Sequence, residues 1–284
     1  MERLGTVAII GVGLIGGSIG QSLRARKLAS RVVGVGRDQA KLDKAQRLGA
    51  IDLATTDPAR GVAEAEVVVV CTPVTRIAVD VRQAAAHGPN GVLVTDAGST
   101  KAAIVAAIEA DVRARNLFVA AHPIAGSERS GVEHARADLF DGRACVLTPG
   151  ESTPPDLLIR ARSFWQSLGC RITEMTPEAH DAALALTSHF PHALAAALAG
   201  IVPTSALPLA GGAYRDGTRV AAADPVLWAG ILLENQGAVL DACAAFRDQL
   251  DTFHQALSDR DERALIAWWE AARARRLLFG NDGS

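Results

Sequence analysis

The chain has 284 residues, enough for one large domain or two of ordinary size. Hydrophobic residues make up 49%, which permits a sizeable core, and 29 basic residues stand against 31 acidic, a net charge of −2. With no basic stripe and no long run of one sign, this balance argues against nucleic acid or a membrane surface as the main partner and points to a small molecule.

The four cysteines, Cys71, Cys145, Cys170 and Cys243, are scattered without a C-x-x-C pair. Three of them sit in or beside apolar runs, where free cysteine reads as a small buried hydrophobe, and a reducing compartment is expected. A strand-like run from residue 6 leaves no room for a leader peptide, and no apolar stretch is expected to reach the roughly 18 residues of a membrane span. A cytoplasmic protein is expected.

In chain order, Val7–Ile10, Arg31–Val35, Val67–Cys71, Val92–Thr95 and Phe118–Ala121 read as buried strands. Helix candidates lie between them, near 16–27, 38–48, 76–87 and 101–115. Continuous apolar strands alternating with helices predict a parallel sheet covered on both faces. Ala144–Leu147 and Arg171–Thr173 extend the sheet at its edge, joined by a crossover helix after the turn cluster at 150–155. Beyond about residue 175 only helix patterns remain, near 177–200, 213–222, 224–257 and 260–279. The fold class expected is an α/β Rossmann-type doubly wound parallel sheet, residues 1–173, followed by an all-α domain, residues 174–284. In the longest helix Phe246, Leu250, Phe253 and Leu257 fall on one face, and Asp224-Pro225 supplies its start. At ~1.5 Å per residue it would span about 50 Å, long enough to predict packing against a second copy, a homodimer.

The first strand runs into Gly11-Val12-Gly13-Leu14-Ile15-Gly16-Gly17-Ser18, a G-x-G-x-x-G opening a helix. Its glycines give the tight turn and the close approach of a pyrophosphate, and the helix N-terminus offers N–H groups to the phosphates. Gly11, Gly13, Leu14, Ile15 and Gly16 are therefore cofactor-binding candidates. About 20 residues on, the acid that would take a ribose hydroxyl of NAD is absent. Gly36-Arg37 stands there instead, favouring NADP over NAD, with Asp38 as a competing carboxylate. The third strand ends in Thr72-Pro73, the fourth in Asp96-Ala97-Gly98-Ser99-Thr100-Lys101, and the fifth in His122-Pro123. In an open parallel sheet these ends line the ligand crevice, so His122 lies where substrate meets cofactor.

GVGLIGGS at 11–18, DAGSTK at 96–101, HPIAGSERSG at 122–131, TSHFPHALA at 187–195 and YRDGTRVAAADPVLW at 214–228 come in this order. Together they resemble the prephenate/arogenate dehydrogenases, which oxidatively decarboxylate a cyclohexadiene acid on the way to tyrosine. The resemblance implies that His122 is the catalytic base on the C4 hydroxyl and that Ser99 orients that hydroxyl and the nicotinamide. It further implies that Glu128 stands at the pocket mouth, that Ser188, His189 and His192 line the site, and that Arg219 binds a substrate carboxylate. A helical dimerising domain is implied as well, with no mutase segment before it and no regulatory domain after it. Ala125, Gly126 and Ser127 leave room for the ring, and Arg129 beside Glu128 is a second candidate gate charge. Trp228, Trp268 and Trp269 read as packing residues, with Trp228 the one placed for ligand contact. Ser99 also fits an N-cap of the helix that follows. His189 and His192, three apart with Pro191 between them, have no third ligand nearby, so no metal is expected. Two alternatives stay open: another dehydrogenase of the β-hydroxyacid or pyrroline carboxylate reductase type, and a nucleotide-sensing protein without catalysis. No lysine follows Lys101, which disfavours the lysine-dependent kind.

Overall fold

The computed structural model describes residues 3–126 and 129–279. The chain divides into two compact units, Met1–Gln236 and Gly237–Ser284.

The first unit opens with β1 (Leu4–Ile10), α1 (Leu14–Ala25), β2 (Ala29–Val35), α2 (Gln39–Arg47), β3 (Leu53–Thr55) and α3 (Pro58–Val62). It continues with β4 (Ala65–Val70), α4 (Val74–His87), β5 (Leu93–Asp96), α5 (Ala102–Glu109), α6 (Val112–Arg115) and β6 (Phe118–Pro123). Then come β7 (Ala144–Thr148), α7 (Pro155–Ser167) and β8 (Arg171–Glu174). The sheet order is β3-β2-β1-β4-β5-β6-β7-β8. Neighbours run parallel except β7, which lies antiparallel to β6 with His122 opposite Val146. The order 3-2-1-4-5-6 is that of a dinucleotide-binding sheet, with its crevice where β1 and β4 lead away in opposite directions.

Alternation along β1 divides the core. Val7 and Ile9 join one cluster with Ile19, Leu23, Phe164 and Trp165; Ala8 and Ile10 join the other with Val68, Val70 and Ile77. Both faces are therefore buried, which is why the central strands read as unbroken apolar runs. The short β3 and α3 escape sequence reading because three strand residues and one helical turn carry no periodicity. The helix expected over 101–115 is two helices, because the Asp111 carboxylate accepts the N–H groups of Arg113 and Ala114 and starts a new one.

After the sheet, α8 (Pro177–Leu184), a π-helical turn (Ala185–His189) and α9 (Phe190–Ile201) form one continuous run of 25 residues. By length and composition it is long and apolar enough to cross a membrane, which overturns the expectation that no stretch reaches that length. The π turn has a local cause. Pro191 lacks an N–H, and its ring would crowd the carbonyl four residues back, so the helix widens just before it. Next come α10 (Gly212–Thr218) and α11 (Pro225–Glu234), the latter started by Asp224 accepting from the N–H groups of Val226 and Leu227. The single helix expected over 224–257 is interrupted at Asn235 (φ −110°, ψ 32°), and α12 (Gln236–Ser258) begins after it. The 50 Å rod is thus two helices, and the break goes with a buried Asn235 carboxamide that bonds elsewhere in the fold.

In the second unit, α12 continues and α13 (Glu262–Leu278) follows, started by the Asp261 carboxylate. Phe253 and Trp268 pack ring to ring at 5.3 Å, while Leu250 and Leu257, expected on the same apolar face, stay about half exposed.

Candidate active site

The loop after β1 turns sharply at Gly11, whose φ of +94° suits glycine. A β-carbon there would stand 2.7 Å from the Cys71 carbonyl oxygen, and one on Gly16 would stand 2.2 Å from that of Gly11. These two glycines let the loop close on β4 and α1. A β-carbon on Gly13 would meet nothing within 4 Å, and no side chain caps α1. The helix therefore presents bare N–H groups to open space, the arrangement an anionic pyrophosphate needs.

That space is a cleft of about 820 Å³. Of the predicted cofactor residues, Gly11, Gly13, Gly36, Arg37, Thr72 and Pro73 line it. Leu14, Ile15 and Gly16 form the first turn of α1 and are not among its lining residues. Asp38 is committed to α2, where its carboxylate accepts the Lys41 N–H at 3.2 Å. Lys41, which sequence reading passed over, lines the cleft beside Arg37. Ser130, Gly131, Val132 and Glu133 line it too, so the segment leaving β6 folds back over the nucleotide cleft. The pair Glu133–Lys44 at 3.1 Å ties it to α2.

His122 is the last residue but one of β6, whose six residues are all buried, and the bonds of the residue before it hold the backbone there. Direct pairing of β5 with β6 stops at Thr95 and Val119. Beyond that point the N–H of Ala121 donates to the Asp96 carboxylate at 2.9 Å, and the carbonyl of Ala121 accepts from Lys101 Nζ at 2.9 Å. Lys101 and Asp96 also pair with each other, both fully buried. A buried lysine–aspartate pair thus replaces the missing sheet bonds immediately before the histidine.

The His122 ring continues into a polar chain. Its Nδ1 lies 2.9 Å from Nε2 of His180, and His180 Nδ1 lies 2.7 Å from Asp181 Oδ1. Asp181 in turn accepts the N–H groups of Lys101 and Ala102 at 2.8 and 2.9 Å, so a residue of α8 caps α5. This corrects the N-cap role for Ser99, which makes no cap bond. Burial raises the Asp181 carboxyl, but hydrogen bonds from His180, Ala102 and Lys101 outweigh it and hold the pKa below the usual value. Burial, together with the charges of His180, Lys101 and His189, holds His122 well below its ordinary pKa.

His189, in the π turn, is buried and touches Asn235 at 3.0 Å through Nδ1. The same Asn235 amide nitrogen donates to the Asp181 main-chain carbonyl at 2.8 Å. Burial pulls the His189 pKa down to about 4, against the Asp181 charge. His192 stacks on Trp228 with ring centres 3.6 Å apart, and its Nδ1 donates to the Ser188 carbonyl at 2.8 Å. Trp228 also meets His189 edge-on at 6.2 Å. Burial lowers the His192 pKa, and the nearby Arg219 charge adds to this. His122, His189, His192 and Trp228 thus belong to one connected group, with Arg219 at the His192 end. Ser99 and Ser188 are half-buried. Glu128 and Ser127 lie outside the described residues. Among the described residues no group of three or more His, Cys, Asp or Glu side chains is arranged to hold a metal ion.

Sequence reading missed His180, Asp181 and Asn235. The adjacent His180-Asp181 in an apolar helix was a signal; nothing local marks Asn235. Asp96 and Lys101 stood inside a quoted motif without a role.

Comparison with known proteins agrees with this construction. Residues 19–174 match the nucleotide-binding domain of prephenate dehydrogenase, and residues 176–271 match its dimerization domain. The chain is 32% identical to a cyclohexadienyl dehydrogenase of Zymomonas mobilis, over 97% of this chain and 96% of that one. The crystal structure of prephenate dehydrogenase from Aquifex aeolicus, in complex with hydroxyphenyl propionate and NAD+, superposes with a TM-score of 0.90 at 30% identity, covering 97% and 98% of the two chains. Synechocystis arogenate dehydrogenase gives 0.79 at 30% identity, covering 96% and 99%. With both domain models matched in sequence and a relative aligned end to end, the chain belongs to the prephenate dehydrogenase family.

Proposed function

We propose that this protein oxidatively decarboxylates prephenate or L-arogenate to 4-hydroxyphenylpyruvate or L-tyrosine, in tyrosine biosynthesis, with NAD(P)+ as acceptor. The observation that carries the reading is a neutral histidine, His122, at the crevice end of β6, hydrogen-bonded into the buried chain His122–His180–Asp181. The relative solved with NAD+ and a phenolic acid supports it.

The bound nicotinamide supplies the hydride acceptor. His122 Nε2 takes the proton of the C4 hydroxyl as that carbon becomes a carbonyl, and the carbonyl then draws in the electron pair released as CO2 leaves the ring. An imidazole kept neutral by burial is ready for this without first losing a proton. Ser99 orients the hydroxyl, Ser188 and His189 line the site, and the stacked pair His192–Trp228 walls it. Arg219 binds a substrate carboxylate through its planar fork.

NADP is the favoured cofactor. Gly36 stands where a ribose-binding acid is expected, and Arg37 and Lys41 line the cleft on either side of Asp38, whose carboxylate lines it too while accepting the Lys41 N–H as a helix cap. The working form is a homodimer. The dimerization-domain match over 176–271 supports this, and it includes Ile201, Leu209 and Val226, which are 76, 88 and 81% exposed. The division proposed is residues 1–173 for nucleotide binding and 174–284 for the helical domain, close to the gap between the family matches over 19–174 and 176–271. Four unbridged thiols suit a reducing cytoplasm.

The test is turnover. Purified protein with prephenate or arogenate, and NADP or NAD, should raise absorbance at 340 nm. No turnover in any of the four pairs sinks the reading. A comparison of kcat/KM for the two substrates then decides whether the side chain is pyruvyl or alanyl.

A further inference from the structure

Asp181 is linked to His122 through His180 and to His189 through Asn235, by two different groups. Its carboxylate is anchored by the N–H groups of Lys101 and Ala102 and faces His180 Nδ1. An ionised carboxylate only accepts, so His180 must carry its proton on Nδ1. Its Nε2 is then an acceptor, and the hydrogen between the two rings must belong to His122 Nδ1. His122 is left with the lone pair on Nε2.

The Asp181 main-chain carbonyl also only accepts. It therefore fixes the Asn235 carboxamide with its nitrogen inward, and the second hydrogen of that nitrogen points to His189 Nδ1. His189 must accept there and carry its own proton on Nε2, a buried atom with no well-formed hydrogen bond of its own. The helix break falls at this same Asn235.

We infer that Asp181, acting through His180 on one side and Asn235 on the other, locks the two pocket histidines in opposite tautomers, His122 presenting an acceptor at Nε2 and His189 a donor. Two neutral imidazoles in one pocket could otherwise both serve as base. Here only His122 offers a lone pair, and His189 is confined to donating. Asp181, His180 and Asn235 are positioning residues. The consequence for catalysis rests on the function proposed above, whereas the tautomer assignment does not.

The experiment is nitrogen NMR of 15N-histidine-labelled full-length protein, with and without NADP, beside steady-state kinetics. In the wild type His122 should appear as the Nδ1–H form and His189 as the Nε2–H form between pH 6 and 8. Asp181→Asn should shift His122 toward Nε2–H and lower kcat by about 10²-fold or more with KM nearly unchanged. His180→Gln keeps the polarity, since its amide oxygen accepts from His122 while its nitrogen donates to Asp181. It should retain kcat within about tenfold, whereas His180→Leu should lose on the order of 10²-fold. A wild-type spectrum with His122 as Nε2–H, or with His189 as Nδ1–H, overturns the inference whether or not any substrate is turned over. So does a folded His180→Gln protein as impaired as His180→Leu, or an Asp181→Asn protein with wild-type kcat. If Asp181→Asn does not fold, the wild-type spectrum and the His180 pair decide. Absence of wild-type turnover would remove the proposed function and leave the spectrum as the test of the tautomers.

Discussion

Lys101 and Asp96 are both fully buried and pair with each other beneath the end of β6, where they also take the carbonyl and N–H of Ala121. The pair is the support on which His122 stands. Lys101→Met keeps most of the volume but leaves Asp96 charged and unpaired in the core. The expected cost is about 3–5 kcal/mol of stability, measured by urea unfolding. A loss below about 1 kcal/mol would mean that the pair is dispensable.

His122→Asn should lower kcat by at least ~10² while KM changes little, because the asparagine fills the site without accepting the hydroxyl proton effectively. Initial rates at 340 nm decide it. A near-normal kcat removes His122 from the role of base.

Arg37→Ala should weaken NADP more than NAD, since only NADP carries the 2′-phosphate that the guanidinium pairs with. Titration of both cofactors into wild type and variant gives the ratio. Equal effects on the two would show that the arginine reads something they share. Lys41→Ala should act in the same direction.

Acid should reach the fold and the catalyst through the same histidines. The pKa values of His122 and His189 are held below 6.5 in the folded chain, His189 at about 4. Between pH 6.5 and 4 the unfolded chain therefore binds protons that the folded chain refuses. Stability is greatest above pH 6.5 and falls as pH drops through that window. A melting temperature that stays constant from pH 7 to 4.5 would contradict this. For the same reason the acid limb of kcat/KM should lie below pH 6.5; a limb at or above 6.5 would show that the base is not desolvated.

Much of the nucleotide half was legible in the chain itself, because its signals are local. A buried strand is a run of valines and isoleucines, and a tight turn at positive φ needs a glycine such as Gly11. A carboxylate before a helix marks a cap, as at Asp224, whereas the same role of Asp38 went unread because it also stood where a ribose-binding acid is expected. His122 was legible for a topological reason: a polar residue at the end of a parallel strand faces the crevice. Helix ends were less legible. The sequence carries apolar periodicity straight through Asn235, and the break there depends on partners 54 and 46 residues away.

The sequence by itself determined the longer strands and the helices between them, the phosphate loop, and the histidine near the end of β6, since each follows from propensities and spacings within a few residues. Only the tertiary structure decided what surrounds that histidine. Asp96 and Lys101 replace the sheet bonds of Ala121, and His180, Asp181 and Asn235 assign the protons, because burial obliges every polar group to find a partner and those partners come from distant segments.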